Sequence, residues 1–481
     1  MGLGLHGGGV SVAKALAKAK AKVLVTDLKT KEDLVRSLKE LQGLDITYVL
    51  GQHRQEDFIN ADLIIKNPAV RSDSPYLKVA VDHHVPIETE ISLFFQICPA
   101  PIIGVTGTKG KSTVASLIYE LLRHSTKRVY LGGNIRKGVL DLIPQIKKED
   151  LVVLELSSWQ LESLASHRLS PHIAILTNIF PDHLNTYKDF AAYMAAKKNI
   201  FAFQKKSDYV IFNYADALLR GFAKIAPGTI LWADYHGKFP LPAGQEIGAF
   251  ARSKSIYFGS NTLKIMDKKD LALWGEHNVT NALLAINVAS LYKIPLVAIQ
   301  KILSAFTTLE GRMETIGVIN GVTFINDTTA TSPGAVIASL RAILAHYPHG
   351  NITLIAGGAD KATPFEELAE FLASEQRIQH IILLPGSASD ALQKLLSTFE
   401  IPASAGMTQK ESGMTPRGGS KKNIQTVKTM DEAVQEAAAV SSEKDIVVLS
   451  PAAASFNLFT HEFDRGEKFS TAARALGAAD N

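Results

Sequence analysis

The stretch IIGVTGTKGKSTVASLIYELL, residues 102–122, decides the fold of this chain. An apolar run meets a glycine-rich turn, then Lys111-Ser112-Thr113, then apolar residues at helical spacing. That order predicts a buried strand, a phosphate loop and a helix. The strict pattern G-x-x-x-x-G-K-[ST] asks for glycine five residues before Gly110, where Val105 stands instead. The chemistry survives the departure. Gly107 and Gly110 allow backbone N–H groups to converge on phosphate oxygens. The helix beginning near Lys111 points its positive end at them. Lys111 can reach the outer phosphates and Ser112 can ligate Mg²⁺. The nucleotide-binding set on this loop is therefore Gly107, Thr108, Lys109, Gly110, Lys111, Ser112 and Thr113.

Outward from this stretch, KVLVTD, DLIIK, LVVLELS, IAILTN, YVIFN, ITLIAGG, HIILLPG and DIVVLSP are further short apolar runs separated by helix-length segments. Continuous apolar runs suit parallel strands buried on both faces, and the alternation predicts an α/β chain of several sheet units. Boundaries fall near residues 90–100 and, after a long helical stretch from Asn278 to Phe306, near 307–312. They divide the chain into 1–94, 95–307 and 308–481. Residues 403–423, ASAGMTQKESGMTPRGGSKKN, lack apolar periodicity and read as a disordered, solvated insertion.

The 481 residues are 46% hydrophobic and 20% charged with a net charge of +4, which fits a globular protein and argues against a nucleic-acid binder. Cys98 is the single cysteine, so no internal disulfide forms; a reducing compartment and a buried thiol are expected. No apolar run approaches a membrane span and no secretory leader is evident, so a cytoplasmic location is expected.

Other segments carry chemistry. Glu155 comes late in the apolar LVVLELSSWQLE, where a carboxylate is costly without a cation, and Mg²⁺ is the usual partner beside a phosphate loop. TNIFPDHLNTY brings Asp182 and His183 into a polar turn, and Lys197 follows in a helical AAKK context that ordinarily reads as solvated. His277, Asn278 and Asn281 open a helix at a spacing suited to a base or ribose, although Asn278 could simply cap it. INDTTATSPGA, AGGADK and LSPAAASFNLF lie where strands give way to turns, and Lys361 and Ser455 are candidates to hold an anion there. Gly2-x-Gly4-x-x-Gly7, with Asp27 further on, matches the dinucleotide fingerprint, but the strand that should precede the glycines is missing. A nicotinamide-dependent dehydrogenase and a non-catalytic nucleotide-binding scaffold both remain open from these residues alone.

GVTGTKGKST, LELSSWQLE, TNIFPDHLNTY, GEHNVTNALLA, FINDTTATSP and LSPAAASFNLF, in this order, resemble the Mur ligases of peptidoglycan synthesis over nearly the whole chain. GKST with ELSSWQLE favours the branch that adds D-glutamate. The resemblance implies three domains: a Rossmann-like N-terminal domain, a central P-loop-type ATPase and a Rossmann-like C-terminal domain. It implies an ATP-dependent amide-bond ligase acting on UDP-N-acetylmuramoyl-L-alanine through an acyl phosphate, with two Mg²⁺ ions, as a monomer. It further implies that Lys197 is carbamylated and, with Lys111 and His183, catalytic. Ser112 and Glu155 would hold one Mg²⁺; Glu155, His183 and the Lys197 carbamate would hold the other. Asn278, Asn281, Arg312 and Asp327 are implied around ATP. Leu5, His6, Asp27, Asn134, Ser157 and Gln160 are implied along the UDP-linked substrate, and Thr331, Lys361, Ser455 and Phe456 around the amino acid. The chain departs from the family pattern at Arg136, Gly311, Thr329, Ser332 and Glu462. Glu462 is expected to turn outward, leaving Phe463 or Phe459 as the apolar wall.

Overall fold

The computed structural model describes all residues except 6, 69, 72, 136–137, 184–185, 238–247, 362, 399–421, 456–457 and 479–481. The chain separates into two compact units. One comprises Met1–Pro181, Asp189–Ala272 and Val279–Ala305; the other comprises Asp182–Lys188, Leu273–Asn278 and Phe306–Asn481.

The first unit opens with α1 (Gly8–Lys18), β1 (Val23–Asp27), α2 (Val35–Glu40), β2 (Ile46–Leu50), α3 (Gln55–Ile59), β3 (Ile64–Ile65), α4 (Pro75–Asp82) and β4 (Ile87–Glu88). β1 pairs parallel with β2, and β3 pairs parallel with β4. The two pairs are separate sheets, tied through the first two residues: Met1 donates to Ile65 O at 2.9 Å and Gly2 to Thr26 O at 2.8 Å.

α5 (Glu90–Ile97) leads into the central sheet, built from β5 (Ile102–Thr106), α6 (Lys111–Leu122), β6 (Val129–Gly133), β7 (Leu151–Glu155), α7 (Ser158–Ala165), β8 (Ile173–Leu176), α8 (Phe190–Ala202), β9 (Tyr209–Asn213), α9 (Ala217–Ala223) and β10 (Thr229–Asp234). β11 (Ala249–Arg252), β12 (Ser255–Phe258) and β13 (Leu263–Asp267) extend it. The order in this nine-stranded sheet is β13-β12-β11-β10-β9-β8-β5-β7-β6. β5, β7 and β8 are buried at every position, as continuous apolar runs require. β5 lies between β7 and β8, where the winding of the sheet reverses, so the phosphate loop leaves the sheet at its switch point. β12 runs antiparallel to β11 and β13, which the apolar-run reading did not foresee. These strands leave Arg252, Leu263 and Lys264 exposed, so they are buried over only part of their length.

The long helical stretch expected from Asn278 to Phe306 is two helices, α10 (Glu276–Leu291) and α11 (Leu296–Ala305). Pro295 cannot extend α10, and Lys293 turns the chain with φ 54°.

In the second unit β14 (Glu314–Ile319), β15 (Val322–Asn326), α12 (Pro333–His346), β16 (Ile352–Gly357), α13 (Glu366–Ser374), β17 (Ile378–Leu384), α14 (Ser387–Thr398), β18 (Asn423–Thr426), α15 (Met430–Val440), β19 (Ile446–Leu449) and α16 (Glu462–Ala478) form a six-stranded sheet ordered β14-β15-β19-β16-β17-β18. Only β14 is antiparallel to its neighbour. Separate apolar clusters include Leu340, Leu354 and Leu368 in one, and Phe324, Val434 and Phe469 in another. Among the described residues no helix is long and apolar enough to cross a membrane.

Two expectations change. Cys98 is half-buried rather than buried, its Sγ directed at Ala100 O. The 403–423 insertion ends earlier than expected; residues 403–421 lie outside the described residues, but Asn423 begins β18 and Lys422 is buried. Lys422 Nζ donates to Glu375 O at 2.6 Å and Ile378 O at 2.8 Å. Lys422→Ala is therefore expected to lower unfolding stability by roughly 1–3 kcal/mol, the usual cost of orphaned buried partners. Removing residues 403–421 with Lys422 retained should leave the denaturation midpoint unchanged. Urea titrations of both variants check this, and an unaltered Lys422→Ala midpoint refutes the anchoring role.

Candidate active site

The phosphate loop is shaped by what surrounds its backbone. Gly107 and Gly110 adopt φ 147° and 85°, which side-chain-bearing residues rarely hold. A Cβ on Gly107 would run into Thr177 Oγ1, and one on Gly110 would come within 2.6 Å of Asn281 Oδ1. Lys109 is held from both sides: its N–H donates to Asn178 Oδ1 at 2.9 Å, and its carbonyl accepts from Thr177 Oγ1 at 2.5 Å and Asn178 Nδ2 at 3.1 Å. Thr177 and Asn178, the end of IAILTN, were missed as loop-holding residues. Their signal was two polar residues closing a buried strand beside the loop.

Two lysines meet on this loop. Lys111 Nζ donates to Gly107 O at 3.1 Å and Thr108 O at 3.0 Å. Lys197 Nζ donates to Gly107 O at 2.7 Å and lies 4.8 Å from the centre of the Tyr193 ring. Lys197 is 2% exposed, so the solvated reading of AAKK fails: α8 turns this position inward with Tyr193, Ala196 and Ile200.

Glu155 closes β7 and is equally buried. Its Oε1 accepts from Asn134 Nδ2 at 2.9 Å, while Oε2 has no hydrogen-bond partner among the described residues. A buried carboxylate oxygen left without a donor costs several kcal/mol unless a cation meets it. Oε2 therefore fits a Mg²⁺ ligand. Among the described residues no three His, Cys, Asp or Glu side chains form a preformed metal cage. A metal here would draw on Ser112, on a modified lysine and on phosphate oxygens for the rest of its shell.

Other implied substrate residues have structural duties. Asp27 is 7% exposed and accepts the N–H groups of Gly4 at 3.1 Å and Lys29 at 2.9 Å, so it holds the N-terminal glycine turn in shape. Ser157 and Gln160 form the capping box of α7. Leu5 is 44% exposed, whereas His6 and Phe456 lie outside the described residues, as does Arg136.

The second unit holds the remaining candidates. His183 has φ 56° and its N–H donates to Asp182 Oδ1 at 2.9 Å. Asn278 Nδ2 donates to Trp274 O at 2.8 Å, and Trp274 stacks on His346 at 3.8 Å. Desolvation pushes His277 down to about 4, which keeps it neutral. Asp327 joins three segments: Oδ1 accepts from Met313 N at 3.1 Å, Oδ2 from Ser450 Oγ at 3.0 Å, and its own N–H donates to Leu449 O. Full burial lifts its carboxyl to about 6, against the pull of Ser339, Ser450, the Met313 N–H and Arg312.

Lys361 Nζ donates to Thr331 Oγ1 at 2.9 Å. The loops bearing Lys361 and Ser455 are joined by the Ala359–Ala454 backbone pair, and Ser455 is buried. Burial lowers the Lys361 ammonium, while the carboxylates of Asp182 and Glu462 raise it again. The Glu462 charge acts on Lys361 and also on buried Arg465. Phe459 packs on the Phe324–Phe469 cluster.

The Mur ligase MurD-like N-terminal domain matches residues 1–89, the Mur ligase middle domain 105–289, and the Mur ligase glutamate ligase domain 311–453. Curated UDP-N-acetylmuramoylalanine--D-glutamate ligases share 37% identity over 98% of this chain and 96% of the relative in Roseiflexus sp.. In Borreliella afzelii the figures are 35%, 99% and 97%. The chain belongs to the Mur ligase family. It is a ligase, not a dehydrogenase, and its three α/β domains are those of the family. Among solved structures, UDP-N-acetylmuramate-alanine ligase MurC of Thermotoga maritima matches with TM-score 0.62 and 19% identity over 98% of each chain, a likeness of fold. The MurF ligase of the same organism, solved in complex with ADP, matches with TM-score 0.58 and 16% identity over 97% of each chain.

The raised Asp327 carboxyl makes a signed prediction. Between about 4 and about 6 the folded chain holds a proton that the unfolded chain has released. This group's contribution to stability therefore falls as pH rises through that window and is level above it. In Asp327→Asn that component of the fall should vanish, which denaturation at pH 4.5 and pH 7 can measure. An unchanged pH slope would contradict the assignment.

Proposed function

We propose that the chain joins D-glutamate to UDP-N-acetylmuramoyl-L-alanine, using ATP, to make a peptidoglycan precursor. The observation that carries this reading is a phosphate loop with an unsatisfied buried carboxylate on the neighbouring strand, in a chain 35–37% identical to D-glutamate ligases of that substrate. A carboxylate is a poor electrophile at neutral pH. Transfer of the γ-phosphoryl group to the substrate's free carboxylate supplies a leaving group, the amine of D-glutamate attacks the acyl phosphate, and the tetrahedral intermediate collapses to amide and phosphate.

Lys111 and the loop N–H groups stabilise the charge on the transferring phosphoryl group. Glu155 and Ser112 would hold one Mg²⁺; Glu155, His183 and a carbamate on Lys197 would hold a second. When bound, the ions would neutralise charge on the phosphate oxygens. Carbamylation converts the Lys197 amine and CO₂ into a carbamate and a released proton. The carbamate N–H can still donate to Gly107 O, so the lysine's present contact is compatible with the modification. Asn278, Asn281, Arg312 and Asp327 serve ATP. Leu5, His6, Asp27, Asn134, Ser157 and Gln160 serve the UDP-linked substrate, several of them by shaping its loops. Thr331, Lys361, Ser455 and Phe456 receive the amino acid. The division at residues 1–94, 95–307 and 308–481, a cytoplasmic location and a monomeric state belong to the same proposal.

Phosphate release with UDP-N-acetylmuramoyl-L-alanine and a panel of D-glutamate, L-glutamate, L-alanine and L-lysine tests the reading. D-Glutamate should be preferred, and Lys111→Ala should lose about 10²–10³ in kcat, as expected on removing one charge stabiliser. Preference for another amino acid refutes the substrate assignment but leaves the ligase chemistry standing.

Lys197 should take up CO₂. With ¹³C-bicarbonate, NMR should show a carbamate resonance that is absent from Lys197→Arg, and that variant should have lost activity. No resonance in the metal-loaded protein, or full activity in the arginine variant, overturns the carbamate.

A further inference from the structure

Glu88, Thr89 and Glu90 carry the chain into the central sheet, and each is tied to a different point. Glu88 accepts from Ser92 Oγ at 2.5 Å and pairs with His167 Nε2 at 3.0 Å. Thr89 caps α5 and donates to Ser163 Oγ on α7 at 2.8 Å. Glu90 Oε1 accepts the Val139 N–H at 2.7 Å. The same carboxylate faces the first turn of α1, where a Cβ on Gly8 would lie 3.4 Å from Oε2. Gly138 closes the node: a Cβ there would run into Ser11 of α1 and lie 3.0 Å from Glu90 Oε1. Burial pushes the Glu90 carboxyl above its ordinary value, and the Val139 N–H opposes the rise.

The segment that Glu90 grips at Val139 starts from β6 and carries Asn134 at its near end. Asn134 is bound to the catalytic strand twice: its N–H donates to Glu155 O at 2.9 Å, and its Nδ2 to Glu155 Oε1 at 2.9 Å. The carboxylate thus links the helix that follows the N-terminal glycine turn to the segment that orients Glu155. Its partners are the backbone at Val139 and Leu140 and the Ser11 side chain of α1, not the reacting groups.

We propose that Glu90 is a positioning residue for the UDP-linked substrate. It fixes Gly138 and Val139 against α1, in the stretch that follows Asn134, so that a substrate anchored at the glycine turn presents its carboxylate in register with Glu155. This rests on the assignment of the glycine turn and Asn134 to that substrate.

Steady-state kinetics of Glu90→Gln, Asn134→Ala and the double variant test it. Glutamine keeps the size but loses the charge, and one of its two polar ends turns from acceptor to donor. Glu90→Gln should raise KM for the UDP-linked substrate about tenfold, with KM for ATP and D-glutamate within about twofold. Adding it to Asn134→Ala should cost less than the product of the single effects, because both act through one segment. Gly138→Ala should reproduce the selective KM rise, and Ser11→Gly in the same chain should relieve it, so the test stands even if Glu90→Gln does not fold. Equal changes in all three KM values, multiplicative effects, or no relief by Ser11→Gly overturn the positioning role. An Asn134→Ala enzyme with unaltered KM for the UDP-linked substrate overturns the underlying substrate assignment instead.

Discussion

One carboxylate oxygen sets the terms for the first unit. Glu155 Oε2 is buried at the end of an entirely buried strand and has no donor, while its partner Oε1 is fixed by Asn134. Such an oxygen is costly in a folded chain unless a cation or a water meets it. The surrounding construction follows from that demand. β7 is flanked by β5, so the carboxylate and the phosphate loop leave the sheet on neighbouring strands. Two lysines gather on the carbonyl of Gly107, supplying positive charge to the loop that leaves the adjacent strand.

The loop itself is rigid for a reason that its glycines alone do not give. Glycine permits the turn but also makes it floppy in the unfolded chain, which costs conformational entropy on ordering. Thr177 and Asn178 oppose that cost by clamping both backbone groups of Lys109. Asn281 packs over Gly110 from α10, so the loop is held from the adjacent strand and from a distant helix. Preorganised N–H groups stabilise developing phosphate charge without reorganising during the reaction.

What the sequence disclosed and what it withheld divide along physical lines. Runs such as IIGVTG and LVVLELS were legible because burial on both faces leaves no polar position to confuse them. β11 to β13 were not, because half-exposed antiparallel strands dilute their apolar signal with residues such as Arg252 and Lys264. The glycines, Lys111 and Glu155 announced themselves by residue type at the end of a strand. Lys197 did not: AAKK looks solvated until α8 is seen to turn it inward, and only the resemblance pointed to it. Thr177 and Asn178 were silent because their work is done on backbone atoms, which carry no side-chain pattern. Asp27, Ser157 and Gln160 were legible as polar residues at turns, but their contacts are caps and turn braces as much as anything a substrate would use.

The second unit meets the converse problem, a partly buried cation. Lys361 is desolvated, which lowers its ammonium, and Thr331 offers only a neutral hydroxyl. Anions nearby offset that lowering by favouring the charged form. Asp182 and Glu462 provide them, and both favour the charged form. The acidic residue at 462 is therefore not simply a repulsive wall against an acidic amino acid. It is part of the field that favours the charged form of Lys361, and a cation is what a carboxylate side chain needs to find. Arg465 sharpens the balance: buried, with Nη2 donating to Thr328 O at 2.9 Å, it disfavours the charge on Lys361 while Glu462 supports both. Removing Glu462 would leave a buried and a partly buried cation in each other's field, so the carboxylate is better understood as the counter-charge of the pair than as an intruder in the pocket.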